Sequence, residues 1–144
     1  MARFQNELPS DLIKVFEDLE DNMEDIFGEM TQAGAKVVYD LVKTNMSKVF
    51  DKTDKLEQGL KITRVYKTPS DDGINTHIAF YGYVPNSPKT KSHPYGTPIP
   101  LIALAREYGT SSGEAKKPFF RKSFKKNEIE KAMLKVQDKY IKGD

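Results

Sequence analysis

From Ser10 onward the apolar residues Leu12, Phe16, Leu19, Met23, Ile26 and Met30 recur at spacings of three and four, the period of one helix face. Ser10 stands where its hydroxyl can cap the first turn. The rhythm continues through Val37, Val38, Leu41, Val42 and Met46 towards Phe50, interrupted by Gly28 and Gly34. Each glycine costs about 1 kcal/mol relative to alanine inside a helix. A straight helix of ~40 residues would reach roughly 60 Å, against a radius of gyration of about 15 Å for a compact chain of this length. The pattern therefore predicts a long or kinked helix, and the kinked pair, broken near the glycines, is favoured. A protruding helix would need partners to cover its apolar stripe.

Residues 60–68 and 74–84 are rich in β-branched and aromatic side chains and flank Pro69-Ser70-Asp71-Asp72-Gly73, a turn-forming run. This predicts an antiparallel hairpin. Ile74, Thr76, Ile78, Phe80 and Val84 share the face that should meet the helices, while Asn75, His77 and Tyr81 point away. Residues 85–100 hold five prolines with Lys89, Lys91 and His93 among them, which excludes a continuous helix or a central strand. So little apolar content predicts a loop or arm that is either mobile or ordered by contact with something else. Residues 101–108 predict two helical turns with Leu101, Leu104 and Ala105 facing inward and Gly109 as a left-handed cap. Ile129, Met133, Val136 and Tyr140 predict a last helix, capped by Asn127 with Glu130 completing a capping box. The expected fold class is α+β: a long or kinked N-terminal helix, an antiparallel hairpin-based sheet, a proline-rich loop, a short helix and a C-terminal helix, in one domain spanning 1–144.

Composition narrows the field. Leu, Ile, Val and Phe supply 34 of the 144 residues, above the roughly 20% below which a chain fails to build a core. No cysteine is present, which excludes a disulfide framework and a thiolate metal site and favours a cytosolic setting. No apolar run approaches the ~18 residues that span a bilayer, and MARFQNELPSDL lacks a signal core, so neither membrane insertion nor a secretory leader is expected. The net charge of +2 conceals an asymmetry. Nine acidic residues between Glu7 and Glu29 face only Lys14, whereas ten lysines and arginines in residues 116–142 face Glu128, Glu130 and Asp138.

Candidate chemistry is sparse. His77 and His93 form no metal motif, and Ser111, Ser112 and Ser123 lack a nucleophile elbow. Gly109-Thr110-Ser111-Ser112-Gly113 is followed by Glu114-Ala115 where a phosphate loop needs Lys-Ser/Thr. Asp71-Asp72-Gly73 lacks the alternating oxygen ligands of a calcium loop. The reading is a non-enzyme with no cofactor and no metal. A small nucleic-acid-binding module is the alternative, because the C-terminal lysines interleave with Phe119, Phe120, Phe124 and Tyr140. Against it, those phenylalanines fall near the apolar stripe and the total charge is nearly balanced. A toxin or nuclease ranks third for want of a catalytic cluster.

The most specific stretch is Ile102-Ala103-Leu104-Ala105-Arg106-Glu107-Tyr108-Gly109-Thr110, followed by Ala115-Lys116-Lys117-Pro118-Phe119-Phe120-Arg121-Lys122-Ser123-Phe124. It resembles a tailed-bacteriophage tail-component family, named for the tenth gene product of a lambdoid phage and related to the minor tail protein Z group. That family carries an aromatic-Gly-Thr step and an Ala-x-Pro-Phe-x-Arg step, here with one extra residue at Lys116-Lys117. Its Thr-Gly-x-Leu-Arg/Lys step is similar to Gln58-Gly59-Leu60-Lys61, with Gln in place of Thr.

The resemblance implies a structural subunit of the virion neck or upper tail, made in the host cytoplasm, that completes the tail and joins it to the head. Its partners would be copies of itself in a ring, hexameric by resemblance, a head–tail connector or stopper protein, and the tail tube protein. DNA would pass through the channel without sequence-specific binding. Tyr108 and Phe119 then read as packing anchors, Gly109 as a cap, Pro118 as the opener of the basic helix and Arg121 as an interface ion-pair partner. Thr110, Lys122, Lys125 and Lys126 join them as interface candidates, with Lys89, Lys91 and His93 on the proline-rich arm. Two expectations follow: the acidic helix meets the basic C-terminal helix of a neighbour, the alternatives being pairing within its own chain or plain solvation, and residues 85–100 are captured on assembly.

Overall fold

The computed structural model describes residues 10–50, 54–70 and 73–142. Helix α1 (Ser10–Asp21) runs into α2 (Met23–Val49), then come α3 (Asp54–Gly59), four short strands, α4 (Ile99–Tyr108), a 3-10 turn (Arg121–Ser123) and α5 (Lys126–Lys142). This is the α+β architecture that the apolar periods predict. Glu7 and the turn residues Asp71 and Asp72 lie outside the described residues.

The long helix does not break at its glycines. Its single irregularity is Asn22 (φ −105°, ψ 8°), and hydrogen bonds continue across it, from Asn22 N–H to the Asp18 carbonyl at 3.1 Å and from Ile26 N–H to the Asn22 carbonyl at 2.9 Å. The Asn22 side-chain amide also donates to the Asp18 carbonyl at 2.7 Å, a local bond that competes with regular helix at this position. Gly34 sits inside α2 where α5 approaches closely, whereas Gly28 has room for a side chain. A Cβ at Gly34 would stand 3.0 Å from Ile129 Cγ2 of α5, and one at Gly28 would stand 3.4 Å from Val65.

The hairpin consists of β1 (Leu60–Ile62) with β4 (Ile78–Phe80) and β2 (Tyr66–Lys67) with β3 (Ile74–Asn75), all antiparallel. Ile62 pairs with Ile78, and Thr63 N–H still bonds to the His77 carbonyl, but Tyr66 pairs with Asn75. Arg64 and Val65 therefore oppose Thr76 alone, a β-bulge that splits one hairpin into two short ladders. Gln32 of α2 pins the bulge, its Nε2 donating to the Thr63 carbonyl at 2.9 Å and to Thr76 Oγ1 at 3.1 Å.

The proline-rich segment carries its own order. Val84 N–H bonds to the Thr97 carbonyl and Ile99 N–H to the Gly82 carbonyl, each at 2.9 Å, so the segment's ends lie side by side. Within it Thr90 and His93 exchange backbone bonds of 3.1 and 3.2 Å, and the Ser87 hydroxyl links the Val84 carbonyl to Thr97 N–H. The expected loop is thus closed on itself by its own hydrogen bonds. Pro100 belongs to the first turn of α4, where its missing N–H costs nothing.

The core gathers Val38, Val42 and Met46 of α2, Phe50, Leu56, Leu60, Val84, Ile99, Ala103 and Phe119. Burying side chains such as Val42 and Met46 stabilises by about 1.5–3 kcal/mol each. Two sequence expectations fail around this core. In α4 the inward stripe is Ile99, Ala103 and Glu107, while Leu101 and Leu104 are exposed. And α5 begins at Lys126, with Ile129 N–H bonded to the Lys125 carbonyl, so Asn127 lies inside the first turn rather than at its cap.

Candidate functional site

Glu107 is the least expected member of the buried stripe. Helix α4 stops at Gly109, whose φ of 78° and ψ of 179° suit glycine, and whose N–H reaches back to the Ala105 carbonyl at 2.8 Å. A Cβ there would stand 2.7 Å from the Glu114 carbonyl oxygen. The chain turns through Thr110–Glu114 contacts and returns along α4, with Lys117 N–H on the Arg106 carbonyl at 2.9 Å. After Pro118, which has no N–H, three successive amides point at one carboxylate. Glu107 Oε2 accepts from Phe119 at 2.8 Å and Phe120 at 2.9 Å, and Oε1 accepts from Arg121 N–H at 3.2 Å and Arg121 Nε at 2.9 Å.

The free N–H groups that open a 3-10 turn make an anion nest, and here the anion is the chain's own glutamate. Burial, which leaves Glu107 only 4% exposed, pushes its carboxyl up, but the bonds from Phe119, Phe120 and Arg121 outweigh it and hold the group below its ordinary value. With its oxygens committed to four N–H donors, Glu107 is a lock rather than a base.

The lock seats Phe119. Its ring is fully buried, edge-on to Phe50 at 5.4 Å and to Phe80 at 6.1 Å between centroids. Ser123 Oγ, also buried, donates to the Phe119 carbonyl at 2.7 Å and accepts from Asn45 Nδ2 of α2 at 2.9 Å. The signature residues Tyr108, Gly109, Thr110, Pro118, Phe119 and Arg121 thus belong to one folded latch. Phe119 is an anchor and Gly109 a cap, as their positions predict. Two other roles change. Tyr108 is 56% exposed, with the Arg121 guanidinium 4.8 Å over its ring, so it is a surface residue. Pro118 precedes the 3-10 turn rather than opening the basic helix. Arg121 pairs with Glu107 of its own chain.

Lys122, Lys125 and Lys126 follow the latch on exposed positions, whereas Lys89, Lys91 and His93 stand on the separate proline-rich loop. Sequence reasoning missed Glu107, because a period search discounts charged residues. The available signal was its place one turn after Ala103 and two after Ile99.

Part of the acidic segment is answered within the chain. Glu29 of α2 accepts from Tyr140 Oη and lies 3.5 Å from Lys139 Nζ, both on α5. The Tyr140 hydrogen bond, aided by Lys139, holds the Glu29 carboxyl low, and the same bond raises the Tyr140 phenol. Lys67 pairs with Glu24. In contrast α1 has no buried residue, and Leu12, Ile13, Val15 and Phe16 are all exposed.

Beside the latch lies an open groove of about 370 Å³, walled by Ile78 and Phe80 of the hairpin, Leu104 and Tyr108 of α4, and Phe120 and Arg121 of the latch. Among the described residues no group of three His, Cys, Asp or Glu is placed to hold a metal ion, and no helix is long and apolar enough to cross a membrane. Compared with known proteins, the chain matches no family model, no curated protein and no solved structure.

Proposed function

We propose that this chain is a structural subunit of a bacteriophage neck or upper tail, assembling with copies of itself into a ring that completes the tail and joins it to the head. The supporting observation is α1, a twelve-residue helix with no buried residue, on which Leu12, Ile13, Val15 and Phe16 stay 38–54% exposed among the described residues. An apolar stripe of that extent is at home only when a neighbour covers it. The virion setting rests on the resemblance of the α4 and latch motifs. A ring repeats one contact between two different surfaces, and this chain has surfaces of opposite charge at α1 and beyond the latch.

Electron microscopy of phage particles produced without the protein tests the reading. Unjoined heads and tails, or tails of aberrant length, are expected. Infectious particles of normal form would overturn it.

A further inference from the structure

We infer that α1 of one copy docks its apolar face into the groove beside the latch of the next copy. This rests on the reading that the chain assembles with itself, and names the two surfaces that meet.

At about 100° per residue, the exposed Leu12, Ile13, Val15 and Phe16 fall within roughly 160° of α1's circumference, an arc that also carries Glu20. Phe16 is 54% exposed at the centre of that face. Leu104 and Tyr108, 57% and 56% exposed, offer a second apolar surface on the groove wall. A helix is ~10 Å across, so a groove of about 370 Å³ receives projecting side chains and leaves the helix body on its rim.

Charge selects the occupant. Helix α1 carries five carboxylates, Asp11, Glu17, Asp18, Glu20 and Asp21, against Lys14. Residues 116–126 carry six cations and no acid. Lys116 and Lys117 lie on the irregular segment that returns along α4, and Lys122 follows the Phe120–Arg121 wall; all three are exposed. Two copies of α1 packed on each other would oppose acid with acid, whereas α1 on the groove opposes acid with base. The contact joins unlike surfaces, so it propagates from copy to copy and closes when the rotation permits.

The chain has no cysteine, so a cross-link can be placed without competition. Phe16→Cys and Leu104→Cys, made in separate full-length chains, are mixed and oxidised in air with copper, and the disulfide heterodimer is quantified. Both residues are exposed, so neither change disturbs the core. The expected result is a Phe16→Cys/Leu104→Cys product exceeding both the Phe16→Cys self-product and that of Leu104→Cys with Lys48→Cys at the far end of α2. Lys116→Glu with Lys117→Glu in the groove partner lowers the yield about tenfold, and Glu17→Lys with Asp18→Lys in the other chain restores it. A yield no higher than the Lys48→Cys control, or a dominant Phe16→Cys self-product, overturns the docking. If sedimentation still shows self-association in that case, the assembly reading survives and only this contact fails. If the cross-link forms but particles lacking the protein are normal, the contact stands and the neck assignment fails.

Discussion

Glu107 Oε2 accepts the backbone N–H of Phe119 at 2.8 Å, joining two buried residues twelve positions apart. The bond holds a charged side chain inside the core beside the ring that fills it. It is affordable only because Phe120 and Arg121 donate to the same carboxylate. The latch is thus a charge-assisted closure of the loop after α4, and removing any part of it should be felt in stability before assembly.

Glu107→Gln replaces a carboxylate with an amide whose NH₂ faces N–H donors. A loss of about 2–3 kcal/mol is expected at neutral pH, read by chemical denaturation. The carboxyl is held below its ordinary value of 4.5 in the folded chain, so its contribution is complete above that pH and disappears as pH falls through the lower folded value. The gap between the parent and Glu107→Gln should therefore narrow below pH 4.5. A gap that stays constant through acid would show that the charge contributes nothing.

Gly109→Ala forces a side chain onto a φ of 78° and into the Glu114 carbonyl oxygen. The backbone conformation alone costs about 1–3 kcal/mol. Thermal denaturation should show a lowered midpoint, and an unchanged midpoint would mean that α4 can end another way.

Gly28 and Gly34 separate two effects within one helix. At Gly28 an added Cβ meets Val65 at 3.4 Å, an ordinary contact, so Gly28→Ala should stabilise by about 0.5–1 kcal/mol. At Gly34 the Cβ would stand 3.0 Å from Ile129 Cγ2. There α5 must yield, and Gly34→Ala should show no gain or a loss. Equal midpoints for the two variants would contradict the close approach of α2 and α5.

Much of the fold was legible because it is local. Leu12, Phe16, Leu19 and Ile26 mark their helix face without reference to any distant residue, and the turn-forming run at Pro69 marks a hairpin whichever way it packs. The latch was half legible. Gly109 declares a helix end and Phe119 a core residue by type, but Glu107 has only its spacing from Ile99 and Ala103 to set it apart from the exposed acids elsewhere.

By itself, then, the sequence determined the existence and order of the hairpin and of the helices other than α3, since period and turn chemistry act over a few residues. Tertiary structure alone decided which face of α4 turns inward, where Gly34 is needed, that Arg121 is bound within its own chain, and that no residue of α1 is buried. Each depends on groups brought together from distant positions, and the free energy of burying Glu107 is set by N–H donors on a segment that lies beside α4 only after folding.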